Sequence, residues 1–407
     1  MSTFDWSKHM ESEEPLERPR ENLVIDPRNG EPILMRQEDS EQAQRHDVEQ
    51  VRSIEDLHVD DLLADAVKRG ASDLHLTVKL PPIARIDGDL VQLPYQALDS
   101  RDTNRLVYEI MSDEQVARFE QTHDTDFSYG VKGLGRFRVN VYMQRDSIGA
   151  AFRTIPAKIP SFEELGLPPI LREVSKRTSG LILVTGPTGS GKSTTIACMI
   201  DDINRIRPCH IMTIEDPIEY LHPHQKAMVN QREVHHDTMS FQNALRAVLR
   251  EDPDVILVGE MRDLETITAA LTLAETGHLV FGTLHTRNAP QAVDRIIDVF
   301  PPDQQEQIRV LLGNTLECVV AQQLLPKLGG GRVAAIEIMI ATPAIRNLIR
   351  EGKTHQMYSI IETGTQYGMQ HMDRQLEDLV KNGYVSFDEA LMRAIDKESF
   401  ARSVRAA

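Results

Sequence analysis

The chain has 407 residues, with Lys+Arg 45 against Asp+Glu 62 and a net charge of −17. At roughly 150 residues per domain this length predicts two or three domains, and the acid surplus disfavours a general binder of nucleic-acid backbone, which needs a basic face. Hydrophobic residues make up 41% and charged ones 26%, near globular averages, and apolar runs such as Leu181–Val184 and Val255–Val258 are too short to cross a bilayer.

The start, MSTFDWSKHMESEEP, has no cationic segment followed by an apolar stretch, so no secretory signal is expected and the chain reads as cytoplasmic. Residues 1–53 hold 13 acidic and 7 basic residues and Pro15, Pro19, Pro27 and Pro32. Such a segment buries too little apolar surface to offset its ordering entropy, and it reads as an acidic, largely disordered extension with short apolar patches at Leu23–Ile25 and Ile33–Met35. From Ile54 onward, Leu62, Leu63, Ala66 and Val67 fall on one helical face, and Ser72–Val78 then alternates as a strand. Ile83–Ile86 and Leu90–Leu93 flank Asp87-Gly88, a hairpin signal. A helical stretch is expected around Leu106–Phe119. In the strand Gly135–Tyr142, apolar Phe137, Val139 and Val141 alternate with Arg136, Arg138 and Asn140, which predicts one core face and one cationic face. With a further strand at Ala150–Ile155, residues 54–155 read as a small α+β domain. Pro156–Pro169 is proline-spaced, and 156–180 reads as a linker.

From residue 181 to the C-terminus at 407 the rhythm is strand, loop, helix. Leu181–Thr185, Ile211–Ile214, Val255–Val258 and Leu279–Leu284 are short apolar runs of the kind that form buried parallel strands, so the fold class is α/β with a doubly wound sheet. Gly186-Pro187-Thr188-Gly189-Ser190-Gly191-Lys192-Ser193 is a full GxxxxGK[ST] match followed by Thr194; it follows an apolar strand and opens a helix with Ile196, Ile200, Ile203 and Ile206 at helical spacing. Backbone N–H groups of such a turn cradle phosphates, assisted by the helix N-terminus. Lys192 is expected on the β/γ-phosphates of ATP, and the Ser193 hydroxyl on Mg²⁺.

Hydrolysis also needs carboxylates, and two candidate groups stand at predicted strand ends, where open α/β sheets bind ligands. Glu215, Asp216 and Glu219 follow Ile214, and Gly259-Glu260 follows Val258, with glycine where an aspartate is common; Glu260 is read as acting on the metal directly or through its water shell. His278 and His285 bracket Leu279–Leu284 seven residues apart, which puts them on opposite sides of a strand and argues against a metal pair. Arg136, Arg138 and Arg153 are the arginines expected to reach phosphates from outside the phosphate-loop domain.

These residues resemble the type IV pilus retraction ATPases (PilT-like) of the secretion ATPase superfamily. The resemblance runs from about residue 54 to about residue 400 on ASDLHL (71–76), PPIARIDGDL (81–90), GRFRVN (135–140), the phosphate loop, TIEDPIE (213–219), NQREV (230–234), RAVLREDPDVILVGEMRD (246–263) and HLVFGTLHT (278–286). AIRNLIRE (344–351) resembles the signature of the retraction branch; read by itself it is an amphipathic helix with Ile345, Leu348 and Ile349 as its apolar stripe. The resemblance implies a PAS-like domain before a RecA-like P-loop domain with C-terminal helices, assembled as a homohexamer that binds ATP between domains and neighbouring subunits.

It further implies water activation by Glu219, the Walker B role for Glu260, nucleotide sensing by His278 and His285, and completion of the site by Arg138 and Arg153. The implied function is an ATP-driven motor for pilus retraction and twitching motility. Its implied partners are its own copies, an inner-membrane platform protein and a paralogous pilus ATPase, with no nucleic acid and with membrane contact only through partners. Extension ATPases carry a tetracysteine zinc motif; Cys198, Cys209 and Cys318, odd in number and without CxxC spacing, predict reduced thiols and favour the retraction branch. The alternatives are a PilU-like paralogue working beside a true retraction motor and a RecA-like nucleic-acid motor, which the acidic charge disfavours.

Overall fold

The computed structural model describes residues 22–25, 32–35 and 51–405, apart from 87 and 157. Most of the segment read as disordered therefore lies outside the described residues. Its two apolar patches pair with each other: β1 (Asn22–Ile25) runs antiparallel to β2 (Pro32–Met35), with Leu23 opposite Leu34.

The first half of the chain builds a sheet of six antiparallel strands. Helix α1 (Val59–Lys68) starts at a His58 capping box and buries Leu62, Leu63 and Ala66, while Val67 packs against the same core half-buried. Strand β3 (Asp73–Leu76) is followed by β4 (Ile83–Ile86) and β5 (Asp89–Gln92), which place Ile86 opposite Asp89 across a two-residue loop. The helix expected around Leu106–Phe119 is two helices, α2 (Ser100–Tyr108) and α3 (Asp113–Thr122). Ser112 divides them: its backbone is extended, its hydroxyl accepts from Gln115 N–H, and the Gln115 side chain accepts from Ser112 N–H. This capping box outweighs the run of helix formers. The remaining strands are β6 (Asp124–Val131), not expected from the sequence, β7 (Gly135–Gln144) and β8 (Ser147–Ile155), in the order β5-β4-β3-β8-β7-β6. Phe137, Val139 and Val141 of β7 are buried with Leu74, Leu106 and Phe119.

Two short helices follow, α4 (Phe162–Leu165) and α5 (Pro169–Ser175). Phe162, Leu167, Leu171 and Val174 are buried in one cluster with Ile182, Val184, Ile196 and Ile200. From Phe162 onward the segment read as a linker is thus packed on the second sheet, and none of the described residues in 156–161 is buried.

The second sheet takes β9 (Gly180–Thr185), then α6 (Lys192–Ile206), β10 (His210–Glu215), β11 (Met228–Glu233), α7 (Phe241–Val248), β12 (Val255–Val258), α8 (Leu264–Glu275), β13 (Leu279–Leu284), α9 (Ala289–Asp298), α10 (Gln305–Thr315), β14 (Leu316–Pro326) and β15 (Arg332–Ile340). Its order is β11-β10-β12-β13-β9-β14-β15; all neighbours are parallel except the β14–β15 pair. Both faces are covered, so alternate residues feed opposite cores: Leu181 and Leu183 pack with α8 and α9, while Ile182 and Val184 pack with α5 and α6. This two-sided burial is why these strands read as continuous apolar runs. Ile196, Ile200 and Ile203 of α6 are buried, whereas Ile206 ends the helix 47% exposed. The C-terminal helices are α11 (Pro343–Glu351), α12 (Met357–Thr363), α13 (Met372–Lys381), α14 (Phe387–Arg393) and α15 (Lys397–Arg405); the last three close a small core on Leu325 and Ala335. The α/β fold class holds. Among the described residues no helix is long and apolar enough to cross a membrane.

Candidate active site

Parallel strands put their C-terminal ends on one edge of a sheet, and the register sets Thr185 beside Leu284, and Ile214 beside Val258. The segments leaving that edge are the phosphate loop after β9, the Glu215–Glu219 turn after β10, Glu260 after β12 and His285 after β13. The sequence thus gathers its candidate groups through strand order alone.

The phosphate loop is wrapped tightly over β14. Gly186 has φ 147°, and a Cβ there would stand 2.2 Å from the Gln322 carbonyl oxygen; Gly191 has φ 88°, and its Cβ would stand 2.8 Å from Gln322 Nε2. Only glycine suits both positions, by conformation and by space. Gln322 also accepts from Thr195 Oγ1 at 2.7 Å, so it ties β14 to the first turn of α6. Pro187, Thr188 and Gly189 form the exposed tip. Ser190 is 3% exposed, and its hydroxyl has no hydrogen-bond partner among the described residues. A buried donor left over in a glycine cradle at a helix N-terminus fits a phosphate. Lys192 Nζ donates to the carbonyls of Gly186 at 2.8 Å and Pro187 at 3.2 Å. Burial pushes its pKa below the usual lysine value, against the opposing pull of Glu260 and Glu219. Ser193 is half-buried on the same turn, and Thr194 shares a 2.9 Å hydrogen bond with the Tyr220 hydroxyl.

The carboxylates occupy distinct environments. Glu219 is exposed at the loop edge, within electrostatic reach of Lys192. Glu215 is pushed up to about 7 by burial, against hydrogen bonds from Thr213, Gln231 and the Glu219 backbone N–H. For Glu260, burial raises the pKa, but hydrogen bonds and charge from Arg262 and His285 prevail and hold it below the ordinary value; His285 Nε2 lies 2.8 Å away. The glycine at 259 has a steric reason: its Cβ would stand 3.1 Å from the Glu215 Cα and the Ile214 carbonyl oxygen, because Gly259 N–H donates to that same carbonyl at 2.8 Å.

His278 lies apart from this group. Its Nδ1 sits 3.0 Å from the Leu273 carbonyl at the start of β13, roughly 23 Å of extended strand from His285 at 3.3 Å per residue. The two histidines stand at opposite ends of the strand, so within one chain only His285 joins the loop edge. Arg138 and Arg153 are opposite one another on β7 and β8, and each faces a carboxylate of its own sheet: Arg138 Nε lies 3.9 Å from Asp126, and Arg153 Nε 2.9 Å from Asp73. Arg136 instead crosses to the second sheet, where Nη2 meets Glu233 Oε2 at 2.9 Å.

The profile of the type II/IV secretion system protein family matches residues 47–392. The chain belongs to that family. Within it the chain is PilT-like: it is 54% identical over 344 residues to the type IV pilus retraction ATPase PilT of Pseudomonas aeruginosa, covering 84% of this chain and 100% of that one. The type IV pilus ATPase PilU of the same organism is 42% identical over 334 residues, covering 82% of this chain and 87% of that one. A crystal structure of the pilus retraction motor PilT with bound ADP superimposes with a TM-score of 0.81 at 52% identity, covering 85% of this chain and 100% of that one. No motif announced Gln322; Arg136 and Glu233 lie in GRFRVN and NQREV, but nothing in either segment told that the two meet.

Proposed function

We propose that the chain is the ATP-hydrolysing motor of type IV pilus retraction, working in the cytoplasm as a homohexamer against an inner-membrane platform protein, with no nucleic-acid track. The observation that carries this reading is the convergence of the phosphate loop, Glu219 and the Glu260–His285 pair on one strand edge, in a chain that matches a pilus retraction ATPase along that protein's whole length. The 54% identity to PilT against 42% to PilU favours the retraction motor over its paralogue.

The loop's backbone N–H groups and the N-terminus of α6 hold the β-phosphate, and Lys192 leaves its own carbonyls to reach the β/γ-phosphates. Ser193 and Glu260 would hold Mg²⁺, which would neutralise charge on the phosphates. His285 and Arg262 keep Glu260 ionised for that duty. Glu219 accepts a proton from the water that attacks the γ-phosphorus, while ADP departs with the bridging oxygen. Arg138 and Arg153 release Asp126 and Asp73 to close on the phosphates when the six-stranded sheet, a PAS-like domain over 54–155, moves against the RecA-like domain over 181–407. The connection at 156–161 within the 156–180 linker serves as the hinge. His278, at the far end of β13, senses nucleotide state through the strand.

The test is ATP turnover with retained binding. Glu219→Ala should bind ATP as the unmodified chain does and lose turnover; loss of binding instead would make Glu219 a structural support.

A further inference from the structure

We propose that Arg136 and Glu233 form a latch that positions Glu219, so that the catalytic turn is set only while the six-stranded sheet is docked on its own chain's second sheet. This deepens the reading of Glu219 as the proton acceptor and rests on it.

One oxygen carries the argument. Glu233 Oε2 accepts from Arg136 Nη2 at 2.9 Å and from Ile218 N–H at 3.1 Å. Ile218 is the residue before Glu219, and the Glu219 backbone N–H is in turn bonded by Glu215, the register partner of Glu233 across β10 and β11. The turn therefore hangs between two carboxylates, and one of them takes its counter-charge from the other sheet. Burial makes that dependence strong: the Glu233 side chain is 5% exposed and that of Arg136 is 23% exposed. A buried carboxylate that loses its cationic partner draws in water or turns away, and either movement releases Ile218. Asp237 stands in the same cluster, accepting from Glu233 N–H at 2.8 Å, and the basic side chains on that side face other carboxylates, Arg232 meeting Glu251 at 3.0 Å and His236 meeting Asp237 at 2.9 Å. Arg138, two residues along the same face of β7, turns to its own sheet instead. The crossing contact belongs to Arg136 alone among the three arginines of that face and its neighbour strand. A displaced general base costs turnover more than binding, because ATP is gripped by the loop on β9.

The test uses the full chain with Arg136→Gln, Glu233→Gln, both together, and Arg136→Lys. Amide hydrogen exchange at 216–219 and steady-state ATPase kinetics are measured, with thermal unfolding to establish that each variant is folded. Both single substitutions should speed exchange at Ile218 and lower kcat by about 10- to 100-fold while KM for ATP stays within about threefold. The double variant should be no worse than the worse single one, and Arg136→Lys, which keeps the charge for a single-pronged contact, should recover most of the rate. Unchanged exchange at Ile218 in both single variants overturns the latch, whether or not the chain hydrolyses ATP. A rise in KM with Arg136→Gln that Glu233→Gln does not share also overturns it, since Arg136 would then act on ATP itself. An unmodified chain without ATPase activity would instead sink the motor reading, and the exchange measurement would still decide the latch.

Discussion

Lys192 rests its ammonium on the carbonyls of Gly186 and Pro187, at the centre of a set of groups whose ionisation is tuned by their neighbours. Lys192→Ala removes the only side-chain cation of the loop, and ATP hydrolysis measured by phosphate release should fall by on the order of 10³-fold. Glu215 offers a test by pH. Folding lifts its pKa from 4.5 to about 7, so the folded chain holds a proton there that the unfolded chain has lost. The stability from this group is complete below pH 4.5 and disappears as pH rises through about 7. Glu215→Gln should therefore be more stable than the unmodified chain at pH 8, by up to about 2–3 kcal/mol, with the advantage shrinking toward pH 5. Denaturant midpoints at the two pH values check this, and an advantage that grows toward acid would contradict it. At this scale the sequence showed what a motif or a strand end can show: Lys192, Ser193, Glu219 and Glu260. It did not show Gln322, whose place under the loop depends on β14 lying beside β9, or that Arg136, expected on phosphates, meets Glu233, which depends on how two sheets dock.

Helix α11 shows how an element can do more than its pattern says. Its stripe of Ile345, Leu348 and Ile349 is buried as the spacing predicts. Arg346, expected on the outer face, bends back: it donates to the carbonyls of Ala341, Gly313 and Asn314 and bridges Glu317. Those carbonyls include the exposed end of α10, which cations satisfy well. Arg346→Ala should cost about 2–3 kcal/mol in unfolding free energy, and a value near zero would return Arg346 to the solvent face. Ser112 is a second element-level case, since its capping box sets the break between α2 and α3; Ser112→Ala should cost about 1 kcal/mol. That break was legible as Ser-x-x-Gln, and the helical run around it masked the signal. Strands β6, β11, β14 and β15 were not legible: β6 and β11 are only half-buried and mixed in polarity, and β14 and β15, though largely buried, have their apolar runs interrupted by Glu317, Gln322, Gln323 and Glu337.

For the whole molecule, the described residues of the stretch 156–161 between the two sheets are unburied, and the Arg136–Glu233 ion pair links one sheet to the other. The α/β class was legible because the core of the second sheet is local in pattern; the docking of the first sheet on it is non-local and was not. Of the net charge of −17, residues 1–53 supply −6, so the remainder is still acidic, and added DNA should leave the ATPase rate unchanged. The measurement that bears most directly on the central claim is pilus retraction in a piliated cell lacking its own retraction ATPases. Expression of this chain should restore retraction, and expression of Lys192→Ala should leave pili extended. Retraction by Lys192→Ala, or none by a chain that hydrolyses ATP, would contradict the account.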